Sequence, residues 1–502
     1  HKHDENLHRI TSSSCYKSES LLMRIFILQV ASLILAVAVA AISAFSPSAA
    51  LQSAPGVIAI RNVTVIPGNG APPISDATVL IRDEHIAAIG PSAETMIPTG
   101  ARVIEGRGKF LVPGFIEMHA HLSKARASAL GLFIANGVTT VRDMGGDHEE
   151  LLRWRQEIRS GKRVGPRMLI AGPYLESAQN VERMRRDPPE KRIEPFERTR
   201  IPVASPAEAR RIVAELASRE LDFLKIRTVQ DQATYVALNE AANAHGIPLV
   251  GHVIGIPPEV VLEAGQDGVE HSFYPSLESK TREERLAVWR KFAERGVRIV
   301  PTLVALFEGT FPPTERLHAI TEDDEGKIEP RRAFLSKYLV LDWREQVEES
   351  NEQRRQALRK IMDDVVRRDL REMHEAGMDV LVGSDVAVLN TYPGFSLHDE
   401  MALFVSELGM TPGEVLERAT SRSARFLRIA DSVGTIERGK VADLVLLDAS
   451  PLEDIRNTRR IAAVVLRGAF YDAQGIRQLL EAVRAAPDRR VDDWGRKSSP
   501  PR

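Results

Sequence analysis

Eight short apolar segments, each followed by a helix-like stretch, constrain the fold of this chain most strongly. In chain order they are GFIEMH, GVTTVRD, RMLIAG, DFLKIR, PLVGHV, GVEHS, VRIVPT and DVLVGSD. Such alternation is typical of βα units around a parallel sheet. Eight units predict a closed (β/α)8, TIM-like barrel of the α/β class, which we assign to residues 113–429.

Two helix starts in this region carry strong local signals. At residues 205–208 (SPAE) and 411–414 (TPGE), a capping residue is followed by Pro at the first helical position and Glu at the third. This combination satisfies free amide groups at a helix N-terminus. Both starts therefore support the alternation of strands and helices that the barrel requires.

Alternating segments flank the barrel region on both sides. Residues 51–112 contain VIAIRNVTVI, ATVLIRDEHI and ARVIEGRGKF, and similar text returns within residues 430–475 as GTIERGKVADLVLLD and IAAVVLRGAFYD. Apolar and polar residues that alternate between turn signals predict short antiparallel strands. We therefore predict one small β-sandwich domain formed from both ends of the chain, followed by a C-terminal tail over residues 476–502.

Residues 1–50 are predicted to be a leader rather than part of the fold. The stretch from Met23 has one positive charge, a long apolar run and small residues at 48–50 that suit signal-peptidase cleavage. We expect translation to start near Met23 and the protein to be exported to the periplasm or the extracellular space. An uncleaved anchor helix is the alternative, because residues 25–45 are about long enough to span a bilayer. Membrane contact would then be through this segment alone.

Composition excludes two classes of function. The 67 Lys and Arg residues are balanced by 69 Asp and Glu residues, and no stretch offers the dense basic face of a nucleic-acid-binding protein. The single cysteine, Cys15, lies in the leader, so the folded region has no thiolate for a metal site or for nucleophilic catalysis. Any metal must be bound through nitrogen and oxygen ligands.

His119 and His121 lie two residues apart at the end of the first barrel strand, in FIEMHAHLSK. Side chains at i and i+2 of a strand point to the same face, so both imidazoles are expected to face inward. Active sites of (β/α)8 barrels lie at this C-terminal end of the strands. A lone buried histidine is more often a hydrogen-bonded core residue, but two that converge favour a metal site.

Lys225 lies within the fourth strand, DFLKIR. An ammonium group inside a barrel is costly to desolvate, which lowers its pKa and favours a neutral amine. Such an amine reacts with carbon dioxide to give a carbamate, whose two oxygens can bridge two divalent ions. The alternative, a lysine that points into solvent or pairs with a carboxylate, stays open at this point.

Three further candidates end later strands. His252 lies near the end of PLVGHV, His271 lies in GVEHS and Asp385 ends DVLVGSD. None is specific alone, and Asp385 at a lone strand end would be interpreted as the cap of the next helix. Their positions along the chain support a metal site, because strands one, four, five, six and eight together place six donors at one mouth of the barrel.

The chain resembles the amidohydrolase superfamily, in the branch of imidazolonepropionase-related and prolidase-like enzymes. The resemblance covers roughly residues 57–471. The matching motifs are LVPGFIEMHAHL, GVTTVRDMGG, DFLKIR, VGHV, GVEHS, GSDV and GTIERGKVADLVLLD. It implies a metal-dependent hydrolase that acts on carbon–nitrogen bonds rather than on ester bonds. It also implies a barrel and a β-domain that is formed from both ends of the chain.

Carried over position by position, the resemblance implies a binuclear centre of two divalent ions, with zinc as the expected metal. Its implied ligands are His119, His121, Lys225 as N6-carboxylysine, His252, His271 and Asp385. Two such ions lower the pKa of a bridging water, so that hydroxide attacks a carbonyl that the metal polarises. Asp385 would take the proton from the nucleophile and pass it to the departing amine.

The substrate is expected to be a small amide, most specifically a dipeptide or an N-acyl amino acid with a free carboxylate. Arg142 and Arg227, both near predicted strand ends, are candidates to bind that carboxylate, although an internal salt bridge is an equal alternative for each. His398 in SLHDE resembles a family position near the eighth strand, and its alternative role is to cap or pack the next helix.

Two other functions stay open from the sequence. One is hydrolysis of a cyclic amide such as an imidazolone or a hydantoin. The other is an exported binding protein whose barrel has lost its metals, against which the complete set of ligands argues. The sequence does not decide the oligomeric state, and a homo-oligomer is one alternative.

Overall fold

The computed structural model describes residues 56–186, 196–271 and 277–486. The predicted leader over residues 1–50 lies outside these ranges. Within them, no helix combines the length and the hydrophobicity needed to cross a bilayer.

The strands of the described residues are numbered here in chain order. They are β1 Val57–Val65, β2 Ile74–Arg82, β3 His85–Pro91, β4 Arg102–Glu105, β5 Phe110–Pro113, β6 Phe115–Ala120, β7 Val138–Asp143, β8 Arg167–Ile170, β9 Tyr174–Ser177, β10 Arg200–Val203, β11 Leu224–Thr228, β12 Leu249–Gly251, β13 Gly268–Glu270, β14 Arg298–Val300, β15 Leu444–Leu447, β16 Ile461–Leu466 and β17 Ala469–Tyr471.

The α-helices are numbered in the same way. They are α1 Leu122–Ala125, α2 Leu130–Ala135, α3 His148–Arg159, α4 Ala178–Arg185, α5 Phe196–Thr199, α6 Pro206–Ala217, α7 Gln232–His245, α8 Pro258–Ala264, α9 Arg282–Glu294, α10 Leu303–Thr310, α11 Thr314–Glu322, α12 Lys337–Glu349, α13 Glu352–Ile361, α14 Arg367–Glu375, α15 Phe395–Leu408, α16 Pro412–Arg418, α17 Ser421–Phe426 and α18 Ala473–Arg484. Short 3-10 helices cover Ala127–Ala129, Pro330–Phe334 and Ile455–Arg459, and a π-helical turn covers Met362–Val366.

The barrel strands form two parallel sheets that the chain closes into one cylinder. One sheet has the order β6-β7-β8, and the other has the order β10-β9-β11-β12-β13-β14. The amide of Asp222, just before β11, donates to the carbonyl of Ile170 at the end of β8, which joins the two sheets on one side. The third barrel strand is therefore β8, continued by β9.

The eighth segment closes the cylinder through isolated bridges rather than a continuous ladder. Val380 pairs with Ile299 of β14, and Val386 pairs with Ala120 of β6, both in parallel. Apolar residues of the first, seventh and eighth segments pack in one cluster around Met118. The (β/α)8 barrel predicted from the eight apolar segments is thus present.

Strands from both ends of the chain form the second domain. Its eight strands lie in one hydrogen-bonded sheet with the order β17-β16-β15-β5-β1-β2-β3, and β4 pairs with β1. The two ends meet where β15 runs antiparallel to β5, with Leu446 opposite Leu111. Alternating apolar side chains from six of these strands share one core, which explains the period-two pattern of both segments.

The two predicted helix starts are present in the structure. The Ser205 hydroxyl accepts a hydrogen bond from the amide of Glu208 at the start of α6. Thr411 and Glu414 form a reciprocal capping box at the start of α16. Each cap satisfies amide groups that would otherwise lack a partner, so these helices begin where the sequence indicated.

The C-terminal tail predicted from residue 476 is corrected in its first part. Helix α18 covers Ala473–Arg484, is capped by Asp472 and buries Leu479 and Val483. Val483 belongs to the same core cluster as Leu130 of α2. The helix forms because apolar residues recur at helical spacing in this segment. The rest of the predicted tail lies outside the described residues.

Candidate metal centre

His119 and His121 converge on one carboxylate at the C-terminal end of β6. Nε2 of His119 lies 3.4 Å from Oδ1 of Asp385, and Nε2 of His121 lies 3.2 Å from the same oxygen. The two ring centroids are 5.3 Å apart. The spacing of two residues in a strand therefore directs both imidazoles to one point, as the sequence predicted.

His271 and His252 extend this group from the neighbouring strands. The His271 ring lies 4.6 Å from that of His119 and 5.1 Å from that of His252, measured between centroids. Nε2 of His271 is 3.7 Å from Oδ2 of Asp385. The carboxylate of Asp385 is thus surrounded by imidazoles from the first and sixth strands.

Lys225 lies inside the barrel on β11, with 1% of its surface exposed. Burial lowers the pKa of Lys225 to about 8, although the negative charges of Glu270 and Asp385 act against this shift. The charge of Lys225 in turn acts on His119, His252 and His271. The buried amine therefore lies within electrostatic range of three of the histidines and of Asp385.

Three of the four histidines are oriented by a partner at Nδ1. Glu270 Oε2 lies 2.7 Å from Nδ1 of His119. The Tyr174 hydroxyl lies 2.9 Å from Nδ1 of His121. The Thr302 hydroxyl lies 2.6 Å from Nδ1 of His271 and itself donates to the Pro301 carbonyl. Partners of this kind fix the ring and leave Nε2 available, as is typical of metal-binding histidines.

Glu117 holds the first and eighth strands in place behind the histidines. Its Oε1 accepts hydrogen bonds from the amides of His119 and Ser384, both at 2.9 Å, and its Oε2 accepts one from the Ser384 hydroxyl. Burial raises the pKa of Glu117 to about 7, against the effect of these hydrogen bonds. A shared carboxylate thereby fixes the backbone on which His119 and Asp385 are carried.

The backbone is strained where three site residues follow their strands. His271, Thr302 and Asp385 have positive φ angles of 52°, 51° and 55°. A non-glycine residue in this region costs about 1–3 kcal/mol and is typical of functional sites. At Thr302 the β-branched side chain makes this conformation especially unusual. The geometry of the site, rather than the conformational preference of each residue, therefore determines these backbone angles.

The protonation states suit binding of a cation. Burial lowers the pKa of His119 and His252 well below the ordinary value and lowers that of His271 less strongly, so that these imidazoles are neutral near pH 7. Burial alone would raise the pKa of Asp385, but any positive charge on His119 or His271 acts in the opposite direction, and the pKa is lowered. Asp385 is therefore a carboxylate beside neutral nitrogen donors.

Unpartnered donor atoms show that the group fits a metal ion. Nε2 of His119, Nζ of Lys225 and Oδ1 of Asp385 are buried and have no hydrogen-bond partner among the described residues. One ligand atom each from His119, His121 and Asp385 lie within 4.8 Å of one another. Imidazole nitrogens and a carboxylate oxygen are ligands that zinc and similar divalent ions prefer.

Arg142 is placed in an internal salt bridge, which was one of its two predicted roles. It is 1% exposed, and its Nη2 lies 2.7 Å from Oε1 of Glu270. Its Nε donates to the carbonyl of Met118 at 2.6 Å. The structure therefore assigns Arg142 to the support of Glu270 and does not bring it to the mouth of the barrel as a carboxylate-binding residue.

Arg227 lies beside the donor group, two residues beyond Lys225 on β11. Its Nη1 lies 3.3 Å from Oε1 of the buried Glu176, and about a third of its side chain is exposed. Its guanidinium also lies 5.5 Å from the centre of the Tyr174 ring. A role in substrate binding for Arg227 stays a prediction.

The structure does not bring His398 to this group. The residue lies on α15 with both ring nitrogens in contact with other groups: Nδ1 is 2.9 Å from the Thr458 hydroxyl, and Nε2 is 3.0 Å from the carbonyl of Asn136. Its ring packs edge-on against Phe115, at the start of β6. His398 therefore packs its helix onto the barrel, as its alternative interpretation held.

Sequence reasoning missed four polar residues that support the donors. They are Glu117, Tyr174, Glu270 and Thr302. A carboxylate within an otherwise apolar strand was the available signal for Glu117 and Glu270. Tyr174 and Thr302 gave none, because their contacts join segments far apart in the chain.

The sequence model of the amidohydrolase family matches residues 110–470, which include all six donors. The chain belongs to the amidohydrolase family. It is a hydrolase that acts on carbon–nitrogen bonds, and amidohydrolases generally bind metal ions.

Two distant relatives of this amidohydrolase match it over most of its length. An imidazolonepropionase of Symbiobacterium thermophilum is 24% identical over 434 residues, covering 77% of this chain and 85% of the relative. An adenine deaminase of Rubrobacter xylanophilus is 22% identical over 435 residues, covering 84% of this chain and 59% of the relative.

Solved structures agree with the architecture of this amidohydrolase. A Xaa-Pro dipeptidase with bound methionine in the active site has a TM-score of 0.61 at 21% identity, covering 83% of this chain and 100% of the other. The ochratoxinase of A. niger has a TM-score of 0.61 at 19% identity, covering 84% of this chain and 96% of the other. These likenesses establish the fold, a TIM barrel with a small sheet domain.

Proposed function

We propose that this amidohydrolase has a binuclear metal centre and cleaves the amide bond of a dipeptide or an N-acyl amino acid. One observation carries the proposal: Nε2 of His119, His121 and His271 all lie within 3.7 Å of the carboxylate of Asp385. Nitrogen donors held this close to a carboxylate, with their other ring nitrogens occupied, are arranged for divalent cations.

Each donor has a proposed place in the centre. His119, His121 and Asp385 would hold one ion, and His252 and His271 would hold the other. Lys225, as its carbamate, would contact both, which accounts for a buried amine that has no hydrogen-bond partner among the described residues. When bound, the ions supply a nucleophile at neutral pH by lowering the pKa of water and polarise the substrate carbonyl.

Asp385 is proposed to carry the proton during the reaction. Its side chain is 13% exposed, so it reaches the barrel mouth while remaining close to His119 and His121. As a carboxylate, it is able to accept a proton from the attacking water. The same group, once protonated, can donate to the nitrogen of the departing amine.

Two features support a substrate that carries a free carboxylate. Arg227 offers a partly exposed guanidinium at the end of the strand that carries Lys225. The Xaa-Pro dipeptidase among the structural neighbours acts, by its name, on a dipeptide. Arg227 would hold the substrate carboxylate while Glu176 keeps the guanidinium in position, since one guanidinium has donors for two partners.

A cyclic amide is the second candidate substrate. The imidazolonepropionase relative, aligned over 85% of its own length, favours it. A metal-free binding protein is less well supported, because it would leave buried polar atoms of His119, Lys225 and Asp385 without a hydrogen-bond partner in the described part of the chain, at a cost of about 1–3 kcal/mol each.

The substrate proposal is tested with a panel of amides. Purified protein loaded with zinc, manganese or cobalt is incubated with dipeptides, N-acyl amino acids and cyclic amides, and the released amine or the opened ring is measured. We expect hydrolysis of linear amides that end in a free carboxylate, and loss of it in loaded Asp385→Asn protein. Activity on rings alone would replace the proposal with the cyclic-amide alternative.

Export is a further part of the proposal and rests on the leader sequence alone. Expression from Met23 in a bacterium, followed by fractionation and N-terminal sequencing, tests it. Mature protein that begins near residue 51 in the periplasm or medium would support cleavage and export. Protein with an intact leader in the cytoplasm would contradict both.

A further inference from the structure

A cavity of about 530 Å³ lies at the opposite end of the barrel from the donor group. Its lining includes Arg167, the first residue of β8, Phe223, just before β11, and Pro248, just before β12. The lining residues thus cluster at the N-terminal ends of the strands, whereas the metal-binding candidates follow the C-terminal ends. We propose that this cavity binds a small anion that bears phosphate or several carboxylates.

Six arginines lie among the otherwise mostly apolar residues that line this cavity. They are Arg142, Arg155, Arg159, Arg167, Arg428 and Arg467. The lining contains one side-chain carboxylate, that of Asp222. The volume is in the range of small-molecule sites. A cation would be disfavoured there, since guanidinium groups prefer phosphate and carboxylate oxygens.

Three of these arginines are already paired. Nη1 of Arg155 lies 2.8 Å from Oδ2 of Asp222. Nη2 of Arg167 lies 3.6 Å from Oδ2 of Asp443. Arg142 pairs with Glu270, the partner of His119.

The other three leave a surplus of positive charge. Within the described parts of the chain, no carboxylate oxygen lies within 4.0 Å of the guanidinium of Arg159, Arg428 or Arg467. The cavity therefore holds three guanidiniums in excess of their close anionic partners, which matches a ligand with more than one negative charge.

Arg142 makes the inner wall a built site rather than a surface patch. Its guanidinium lies 5.6 Å from the centre of the Phe223 ring and 5.5 Å from that of Phe426, so that its position is fixed. Its Nη1 is buried and has no hydrogen-bond partner within the described ranges. The Nε atoms of Arg155 and Arg167 are also buried and have no hydrogen-bond partner within these ranges. An acceptor in the cavity would satisfy donors that are otherwise costly to bury.

Binding is tested on the full chain by isothermal titration at constant ionic strength. The probes are inorganic phosphate, glycerol 2-phosphate and propane-1,2,3-tricarboxylate, with sodium chloride as the blank. We expect saturable binding of at least one probe. Binding of the two phosphates alone identifies a phosphate ligand, and binding of the tricarboxylate alone identifies a carboxylate ligand.

Variants distinguish this cavity from the metal centre, which also attracts oxyanions. Arg159→Gln with Arg428→Gln changes two exposed residues, so the fold and the hydrolysis of the amide panel should be unchanged, as an unaltered Tm without ligand would verify. This double variant should bind the probe at least about tenfold more weakly. Arg153→Gln, on the same helix as Arg159 but outside the lining, should bind like the wild type. No binding of any probe, or equal binding by the double variant and the wild type, would overturn the proposal.

Discussion

Glu270 accepts a hydrogen bond from Nδ1 of His119, 2.7 Å away, while its other oxygen lies 2.7 Å from Nη2 of Arg142. The carboxylate therefore fixes the imidazole so that Nε2 points to Asp385. Because Arg142 is buried and also bonds the carbonyl of Met118, the whole chain of contacts is rigid. Metal affinity at His119 thus depends on a residue that would not itself touch the metal.

Glu270→Gln should weaken metal binding by about 10- to 100-fold. The substituted amide lacks the negative charge of Glu270. That charge holds His119 and partly balances the positive charge of Arg142. Competition of the protein with a chelator of known affinity measures the change, and circular dichroism verifies that the variant is folded. Glu259→Gln, on the exposed face of α8, is the matched control. Wild-type affinity in the Glu270 variant would show that this contact does not position a ligand.

Asp385→Asn should lower turnover by about 100- to 10,000-fold while much of the metal stays bound. The amide oxygen can still face the cations, but the side chain can no longer take up a proton. Turnover on the best substrate of the panel and metal content are measured on the same sample. Exposed Asp431→Asn serves as the control. Near-normal turnover would show that another group carries the proton.

Lys225→Ala should empty at least one metal position. The substitution removes the buried amine that would supply bridging oxygens, and a short carboxylic acid added to the buffer should restore part of the metal and the activity. Metal content with and without acetate measures the effect, with the exposed Lys162→Ala as control. A fully loaded Lys225 variant without added acid would rule out the carbamate.

His398 should make stability depend on pH below neutrality. Burial lowers the pKa of His398 to about 4, from an ordinary value of about 6.5. Below pH 6.5, His398 binds a proton in the unfolded chain but not in the folded chain. The contribution of His398 to the free energy of unfolding is therefore fully present above pH 6.5 and is lost as the pH falls toward 4. The pH-dependent part amounts to about 2 kcal/mol between pH 7 and pH 5.

The test compares His398→Gln with the wild type at both pH values. The variant loses contacts to Thr458 and Asn136, so its Tm should be lower at pH 7, but the deficit should shrink at pH 5. The exposed His318→Gln should show no such change. A deficit that is equal at both pH values would mean that His398 binds a proton as readily in the folded protein as in the unfolded chain.

The barrel and its donors were predictable because their signals are local. A strand directs residues i and i+2 to one face, so His119 and His121 had to converge wherever the strand ended. The ends of parallel strands meet at one mouth, so His271 and Asp385 followed from strand order alone. Neither argument needed a contact between distant segments.

The supporting contacts were not predictable, because each joins residues far apart in sequence. Glu270 and Arg142 are 128 positions apart, and only the closed barrel brings them together. His398 shows the reverse error: a histidine near the eighth strand looked functional, but α15 carries it to Asn136. Helix α18 had an apolar spacing typical of helices, which the polar composition of the following tail obscured.

Metal analysis of the purified full chain tests the central claim most directly. Protein expressed with zinc, manganese and cobalt in the medium, then dialysed and analysed by mass spectrometry of the elements, should retain about two divalent ions per chain. A variant in which His119 and His121 are both replaced by Ala should lose at least one. Wild-type protein that retains no divalent metal under these conditions, and takes up none when it is supplied, would contradict the account.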